Sequence, residues 1–134
     1  MKPIYTIGYQ RLRLAPLVEI VQRLDAVLVD VRSVPYSQRK EFSRPSMEKA
    51  LGNRYVWKGR DLGGRAPITR QGIDWLRQER RDRTLLVMCM EHHPADCHRH
   101  HAICAPYFPG AIHIWGDQQI EARELERSIR DDDE

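Results

Sequence analysis

The sequence lacks the features that mark secreted and membrane proteins. Its 134 residues contain three cysteines, an odd number that argues against a disulfide framework and fits a reducing compartment. No stretch approaches the roughly 20 apolar residues that a spanning helix needs. The first residues, Met1-Lys2-Pro3, lead into a short apolar run without the long apolar core or cleavage site of a signal peptide. We therefore expect a cytoplasmic protein that makes no contact with a membrane.

Acidic residues are scarce over most of the chain, so the charge is unevenly distributed. Seven of the 19 acidic residues lie in residues 121–134, whereas residues 32–70 hold ten Lys and Arg against three acids. Arginine supplies 18 of the 22 basic residues. Its planar guanidinium suits bidentate binding of phosphate or carboxylate, although an arginine-rich genome would produce the same bias. An anionic partner, a small molecule or a nucleic acid, should be attracted to residues 32–70.

Strand-like and helix-like segments alternate from end to end, which predicts an α/β fold. We expect a single Rossmann-like three-layer domain over residues 1–120, with a mostly parallel sheet of about five strands and helices on both faces. Residues 121–134 should form the end of the last helix and an acidic tail. The predicted strands are residues 4–8, 26–31, 55–57, 84–90 and 111–115. The predicted helices are residues 16–24, a short helix from residue 45 or 46, residues 69–81, a helix from Cys97 that Asp96 caps and Pro106 ends, and a helix from Gln118 onward.

Polar motif residues follow four of these strands. In an open parallel sheet, ligands bind outside the carboxyl ends of the strands, where loops and free amides converge. The glycines at these positions are Gly8, Gly63 and Gly64, and one interpretation is that each merely allows a tight turn. Gly63 and Gly64 lie in the predicted loop of residues 58–67. None of the other residues at these positions is needed to end a strand, so their joint placement predicts a site for an anionic substrate: Asp30, Arg32, Cys89 and Glu91.

Residues 89–99, with the sequence CMEHHPADCHR, allow two mechanisms that need no metal. A thiolate mechanism would use Cys89 or Cys97, because a helix N-terminus and nearby cations lower the pKa of a thiol. Cys89 could equally be a small core residue. An acid/base mechanism would use Asp30 and Glu91, with Arg32 and Arg99 holding the anion. The alternative for these groups is a set of structural ion pairs.

The same residues are also rich in metal-ligating side chains. The two cysteines are eight positions apart, which is not the two-to-four-residue spacing of a zinc knuckle, and adjacent histidines usually point apart. We therefore predict no cofactor and no metal site, with a structural zinc ion as the minor alternative.

Several motifs together resemble the prokaryotic family called "domain of unknown function 488". They are Thr6-Ile7-Gly8, Asp30-Val31-Arg32 with Pro35 and Ser37, Leu62-Gly63-Gly64, and Cys89-x-Glu91 with Pro94 and Cys97-His98-Arg99. The resemblance covers roughly residues 3–115 and implies a compact α/β protein without implying a reaction. A partial likeness to rhodanese-type sulfurtransferases rests on Asp30-Val31-Arg32 and Cys89. It fails in the loop after Cys89, which has neither the Gly nor the Arg of a rhodanese anion loop and places Glu91 beside the thiol.

Our leading hypothesis is an enzyme that acts on a phosphate-bearing substrate, a nucleotide or nucleic acid. Two alternatives stay open: a non-catalytic nucleic-acid binding module that stacks bases on Tyr36, Tyr55 and Trp57, and a cysteine-dependent sulfur-transfer enzyme. The candidate catalytic residues are Asp30, Glu91, Cys89 and Cys97. The candidate substrate-binding residues are Gly8, Arg32, Ser37, Gly63, Gly64, His98 and Arg99. The oligomeric state and the identity of the substrate do not follow from the sequence.

Overall fold

A six-stranded sheet organises the chain in a computed structural model that describes residues 1–132. The order of the strands is β3-β2-β4-β1-β5-β6; the first five along the chain are parallel, and β6 runs antiparallel to β5. The central strands β2 and β4 are almost entirely buried because helices cover both faces of the sheet. The strands are β1 (Ile4–Gly8), β2 (Ala26–Asp30), β3 (Tyr55–Trp57), β4 (Thr84–Cys89), β5 (Ile112–Trp115) and β6 (Gln118–Glu121).

Helices form the two outer layers. The α-helices are α1 (Leu14–Leu24), α2 (Arg44–Leu51), α3 (Gly59–Leu62), α4 (Arg70–Glu79), α5 (Ala105–Tyr107) and α6 (Ala122–Asp132). A π-helix spans Arg99–Cys104, and short 3-10 turns span Lys40–Phe42, Gly52–Arg54 and Pro94–Asp96. Among the described residues, no helix combines the length and the apolar character that crossing a bilayer requires.

Two hydrophobic clusters lie on opposite faces of the sheet. On one face, Leu17 and Val21 of α1, spaced four residues apart, pack with Met47 of α2. On the other face, Ile73 of α4 and Ile103 of the π-helix pack against the sheet. This arrangement confirms the predicted Rossmann-like three-layer α/β fold with helices on both faces.

The prediction of a helix from Gln118 onward is wrong. Gln118–Glu121 is an edge strand, paired with β5 through a tight hairpin, and the helix begins at Ala122. Gly116 makes the turn with a φ of 61°, a conformation that glycine adopts at little cost. The sheet therefore has six strands rather than about five. The acidic tail that we predicted ends at Asp133 and Glu134, which lie outside the described residues.

The predicted start of the helix after Asp96 is also wrong. Asp96 is the last residue of a 3-10 turn, Cys97 is extended, and the π-helix begins at Arg99. The helical segment ends at Tyr107, one residue after Pro106, close to the predicted end. Within the predicted loop of residues 58–67, Gly59–Leu62 form the short helix α3. The other predicted segments differ from the observed elements by one or two residues at their ends.

Candidate functional site at the carboxyl edge of the sheet

The loop after β4 lies directly over the end of β1. Gly8 and Cys89 are paired in the sheet, and the amide of Tyr9 donates to the Cys89 carbonyl at 3.1 Å. A Cβ atom at Gly8 would lie 1.7 Å from the Glu91 carbonyl oxygen. Only glycine fits here, so Gly8 positions Glu91 through this close approach of two backbones.

Asp30 and Arg32 form a buried ion pair at the end of β2. Arg32 donates to the two carboxylate oxygens of Asp30 at 2.9 and 2.7 Å, and the Tyr55 hydroxyl donates to Asp30 at 2.6 Å. Burial and the adjacent carboxylate raise the pKa of Tyr55. Burial opposes the charge on Arg32, but Asp30 outweighs it and raises the pKa of the guanidinium. Asp30 is fully buried and cannot contact a ligand in solvent. Its role is therefore to hold the Arg32 guanidinium in place.

Four side chains from three segments converge beside this pair. The Cys89 sulfur lies 3.3 Å from Oε2 of Glu91 and 3.6 Å from Nδ1 of His98, which in turn lies 3.8 Å from the Cys97 sulfur. Nε2 of His98 faces the carbonyl oxygens of Val31 and Leu62 at 3.1 and 2.9 Å. Because carbonyls only accept, Nε2 carries the proton, and Nδ1 presents its lone pair to the two thiols. We call Cys89, Glu91, Cys97 and His98 the four-residue centre.

The electrostatics of the four-residue centre separate its two cysteines. The hydrogen bond from Cys89 lowers the pKa of Cys97, assisted by His98 and the charge of Arg99, although burial opposes ionisation. The same contact with Cys97, together with burial and the Glu91 carboxylate, raises the pKa of Cys89. Ionisation is therefore favoured at Cys97 over Cys89, whose thiol lies beside Glu91. Burial opposes protonation of His98, but Cys97 and the two carbonyls raise its pKa.

Arg99 holds the loop after β4 in place. Its guanidinium is fully buried and donates to the carbonyl oxygens of Glu91 and His92 and to the Thr6 hydroxyl, at 2.8, 3.3 and 3.0 Å. Each nitrogen of the guanidinium therefore has a protein acceptor. These contacts orient Glu91 and place Arg99 behind the site.

A cleft of about 300 Å³ opens above the four-residue centre, and we call it the rim cleft. Its cationic and polar side includes Arg32, Ser33 and Arg65, and Tyr9 lies next to Arg32. Cys89, Glu91 and His98 also line it, whereas Cys97 lies immediately behind. Exposed apolar side chains form the outer part of the wall: Val34, Tyr36 and Met90.

The loop before α4 packs tightly against the rim cleft. A Cβ atom at Gly63 would lie 2.2 Å from the Ser33 hydroxyl, and one at Gly64 would lie 3.1 Å from the His98 ring. The amide of Arg65 donates to the Ser33 hydroxyl at 3.0 Å. Both glycines therefore act by allowing close packing, and Gly64 also lines the cleft.

The structure brings five of the predicted site residues to the rim cleft: Arg32, Gly64, Cys89, Glu91 and His98. Ser37 lies apart, where its hydroxyl accepts from the amide of Arg39 within the loop after β2. Sequence reasoning did not select Tyr9, Ser33 or Arg65. Each directly follows a residue that was selected, so adjacency to the strand ends was the available signal.

A row of buried hydrogen bonds runs behind the sheet edge, on the far side of Arg99. Nε of Arg99 donates to the Thr6 hydroxyl, which lies 2.6 Å from Nδ1 of His113. Nε2 of His113 lies 2.9 Å from Nδ1 of His100, and Nε2 of His100 lies 2.8 Å from Oε2 of Glu126. Burial lowers the pKa of both histidines, which favours their neutral forms, and a carboxylate only accepts, so Nε2 of His100 donates to Glu126, Nε2 of His113 donates to His100 and the Thr6 hydroxyl donates to His113. Both histidines are therefore neutral and protonated on Nε2.

A protein-family model matches the sequence over residues 22–71, and the family is described as "Domain of unknown function DUF488". The match includes β2 with Asp30 and the loops that carry Arg32 and Gly64, and it ends before the cysteines of the four-residue centre. No curated protein and no solved structure matches the chain. The partial likeness to rhodanese-type sulfurtransferases stays a prediction.

Proposed function

We propose, from the rim cleft, that this protein is an enzyme that acts on a phosphate-bearing substrate, a nucleotide or nucleic acid; the DUF488 model that matches residues 22–71 states no activity. The observation that carries the proposal is the convergence of guanidinium groups, reactive side chains and exposed apolar side chains in one opening. The guanidinium groups could bind a phosphate, the reactive side chains could carry out a reaction, and the apolar side chains could contact a nucleobase.

The cationic side of the rim cleft supports binding of a phosphate. Three of the five N–H groups of Arg32 donate to Asp30 and Tyr9, which leaves two for a ligand. Because these contacts fix the guanidinium, little side-chain entropy is lost when an anion binds. Arg65 adds an exposed second cation.

The apolar wall supports a substrate with a flat or apolar portion. Val34, Tyr36 and Met90 are 46%, 61% and 44% exposed, although they are large hydrophobic residues. Stacking of a nucleobase on an aromatic ring contributes about 1–3 kcal/mol. A nucleotide could therefore place its base against this wall and its phosphate near Arg32.

The reacting groups in this proposal are Glu91 and His98, with Cys89 beside them. Glu91 is oriented through the carbonyl contact with Arg99, and His98 through its two carbonyl contacts. Glu91 can accept a proton from a nucleophile bound in the rim cleft, and His98 can do so only while its Nδ1 binds no metal ion. Asp30 positions Arg32 in this scheme rather than transferring a proton.

The first test is binding and turnover with a panel of nucleoside monophosphates and short oligonucleotides. We expect Arg65→Ala to weaken binding about tenfold, which is the loss of one charge-assisted contact. Arg70→Ala is the matched control, because Arg70 is also an exposed arginine but does not line the rim cleft. Equal affinity of both variants and wild type, or no affinity for any member of the panel, would contradict the proposal.

Turnover separates the enzyme from a binding module. Glu91→Gln should abolish turnover while binding persists. Salt-sensitive binding by the wild type without any turnover would instead favour the non-catalytic nucleic-acid module.

A cysteine-dependent sulfur-transfer enzyme is the second candidate function. The contact between Cys89 and Nδ1 of His98 favours it, since an imidazole can take the proton of a nucleophilic thiol. Rapid alkylation of Cys89 or Cys97 in the folded protein near neutral pH would support this candidate, and two inert thiols would remove it.

A further inference from the structure

We propose that Cys89, Cys97 and His98 bind one Zn²⁺ ion at the floor of the rim cleft, with Glu91 next to the fourth coordination position. Binding of the ion does not depend on which substrate the rim cleft accepts. The three ligand atoms are the two sulfurs and Nδ1, and all of them lie within 4.8 Å of one another.

The spacing of these atoms matches a tetrahedral zinc site. Zn–S bonds of about 2.3 Å and Zn–N bonds of about 2.0 Å at tetrahedral angles place sulfur and nitrogen ligands about 3.5 Å apart. The observed separations from Nδ1 of His98 are 3.6 Å to Cys89 and 3.8 Å to Cys97. Oε2 of Glu91 lies 3.3 Å from the Cys89 sulfur, which places the carboxylate beside the three ligand atoms rather than among them.

The contacts of His98 prepare it to be a ligand. A metal-binding histidine usually donates its other ring N–H to a carboxylate or a backbone carbonyl, which fixes the tautomer and the ring orientation. Nε2 of His98 faces two such carbonyls, those of Val31 and Leu62. The lone pair of Nδ1 is thereby aimed at the space between the two thiols.

The charges of the four-residue centre also favour a cation. Cys89 and Cys97, each at most 5% exposed, lie close together, and the Glu91 carboxylate contacts the Cys89 sulfur, so three groups that carry negative charge when ionised are near one another. Without a cation, these negative charges repel one another and disfavour a nucleophilic thiolate, whereas a divalent ion neutralises them. Soft sulfur ligands with one imidazole select Zn²⁺ over Mg²⁺ or Ca²⁺, which prefer oxygen.

The backbone explains why the spacing of the cysteines did not predict this site. Cys97 is extended, with φ of −133° and ψ of 145°, whereas His98 has helical angles of −63° and −22°. This change of conformation turns two adjacent side chains towards the same point. Cys89 reaches that point from the end of β4, so the ligands come from a strand end and a loop rather than from a knuckle.

The second group of potential ligands in the described residues, His100, His101 and Glu126, is a weaker candidate. Both ring nitrogens of His100 already have protein partners, His113 and Glu126. A metal ion would have to break that row of hydrogen bonds. The four-residue centre needs no such rearrangement.

The fourth coordination position is left for a water molecule, and the Glu91 carboxylate lies beside the site. Three protein ligands and one water are typical of catalytic zinc, and an adjacent carboxylate can accept the proton of that water. This catalytic role, unlike the binding of the ion, rests on the proposed function.

The experiment is a titration of the metal-free protein, kept reduced with a phosphine, with Co²⁺ and then with Zn²⁺. We expect one equivalent of Co²⁺ to produce thiolate charge-transfer absorption and the strong visible bands of tetrahedral cobalt, and Zn²⁺ to displace it. Elemental analysis of protein purified without chelators should find about one zinc per chain. A folded, reduced wild-type protein that gives neither signal would overturn the proposal, whatever its activity on nucleotides.

Variants assign the ligands. His98→Gln and Cys97→Ser should each weaken zinc binding about 100-fold or more, because each removes a direct ligand. Cys104→Ser is the matched control, since Cys104 is a buried cysteine outside the four-residue centre. If either variant folds and binds zinc as tightly as wild type does, the assignment is wrong. The titration of the wild-type protein tests metal binding by itself. The proposal can therefore be refuted even if a variant fails to fold.

Discussion

Acid should destabilise this fold through His113. Its ring is fully buried; the Thr6 hydroxyl faces one nitrogen and His100 faces the other, and the charge of Arg99 lies nearby. Burial, followed by the repulsion from Arg99 and His100, lowers the pKa of His113 to about 3. An unfolded histidine has a pKa of about 6.5, so between these two values the unfolded chain binds a proton that the folded chain does not.

The magnitude follows from this difference in pKa. The contribution of neutral His113 to the free energy of unfolding is fully present above about pH 6.5. It is lost as the pH falls towards 3, at about 1.4 kcal/mol per pH unit. Between about pH 7.5 and pH 5 the expected loss from His113 alone is about 2 kcal/mol. His100 adds to the effect in the same direction, because burial also lowers its pKa.

The assay is urea unfolding at a series of pH values, with the free energy of unfolding plotted against pH. His113→Gln should be less stable than wild type near neutral pH. The slope of its free energy of unfolding against pH should be smaller than that of wild type, by the equivalent of about one proton, between pH 7 and 5. His101→Gln, which removes an exposed imidazole from the same segment, is the matched control. If His113→Gln keeps the wild-type slope, or if NMR titration finds an ordinary histidine pKa for His113, the reasoning is refuted.

Two further substitutions test the contacts that build the site. Gly8→Ala should destabilise the protein by about 3 kcal/mol, because its Cβ would overlap the carbonyl of Glu91. Gly110→Ala, which meets only the flexible end of a side chain, should change stability by less than about 0.5 kcal/mol in the same urea assay. Tyr55→Phe removes a donor from the buried carboxylate of Asp30 and should cost about 1–3 kcal/mol. A Tyr55→Phe protein as stable as wild type would show that this hydrogen bond contributes no net stability.

Local sequence was sufficient to predict the central strands of the sheet but not the edge strand β6. β2 is a continuous apolar run because helices cover both of its faces, so its composition alone predicts it within one residue. β6 is a half-exposed strand whose first two residues are glutamines, and it carries no comparable pattern. Its strand geometry comes from the turn at Gly116 and from pairing with β5, and both depend on a neighbour rather than on its own residues.

The position of the candidate site was predictable for a topological reason, because parallel strands end at one edge. The burial of individual side chains was not. Asp30 is covered by Tyr55 from a neighbouring strand, and Arg99 reaches back to backbone carbonyls near the end of β4. Sequence spacing places a residue along its own segment but does not show which distant segment will cover it.

The order of the strands has a consequence for how the chain can assemble during synthesis. β4 occupies the position between β1 and β2, yet it is synthesised about 50 residues after β2. Until residues 84–89 arrive, β1 and β2 have no native partner in common, and the groups on their facing edges remain available for mispairing. A nascent chain shorter than about 90 residues therefore lacks both the strand that joins β1 to β2 and the two cysteines of the centre, so the joining of these strands and the first appearance of the site coincide.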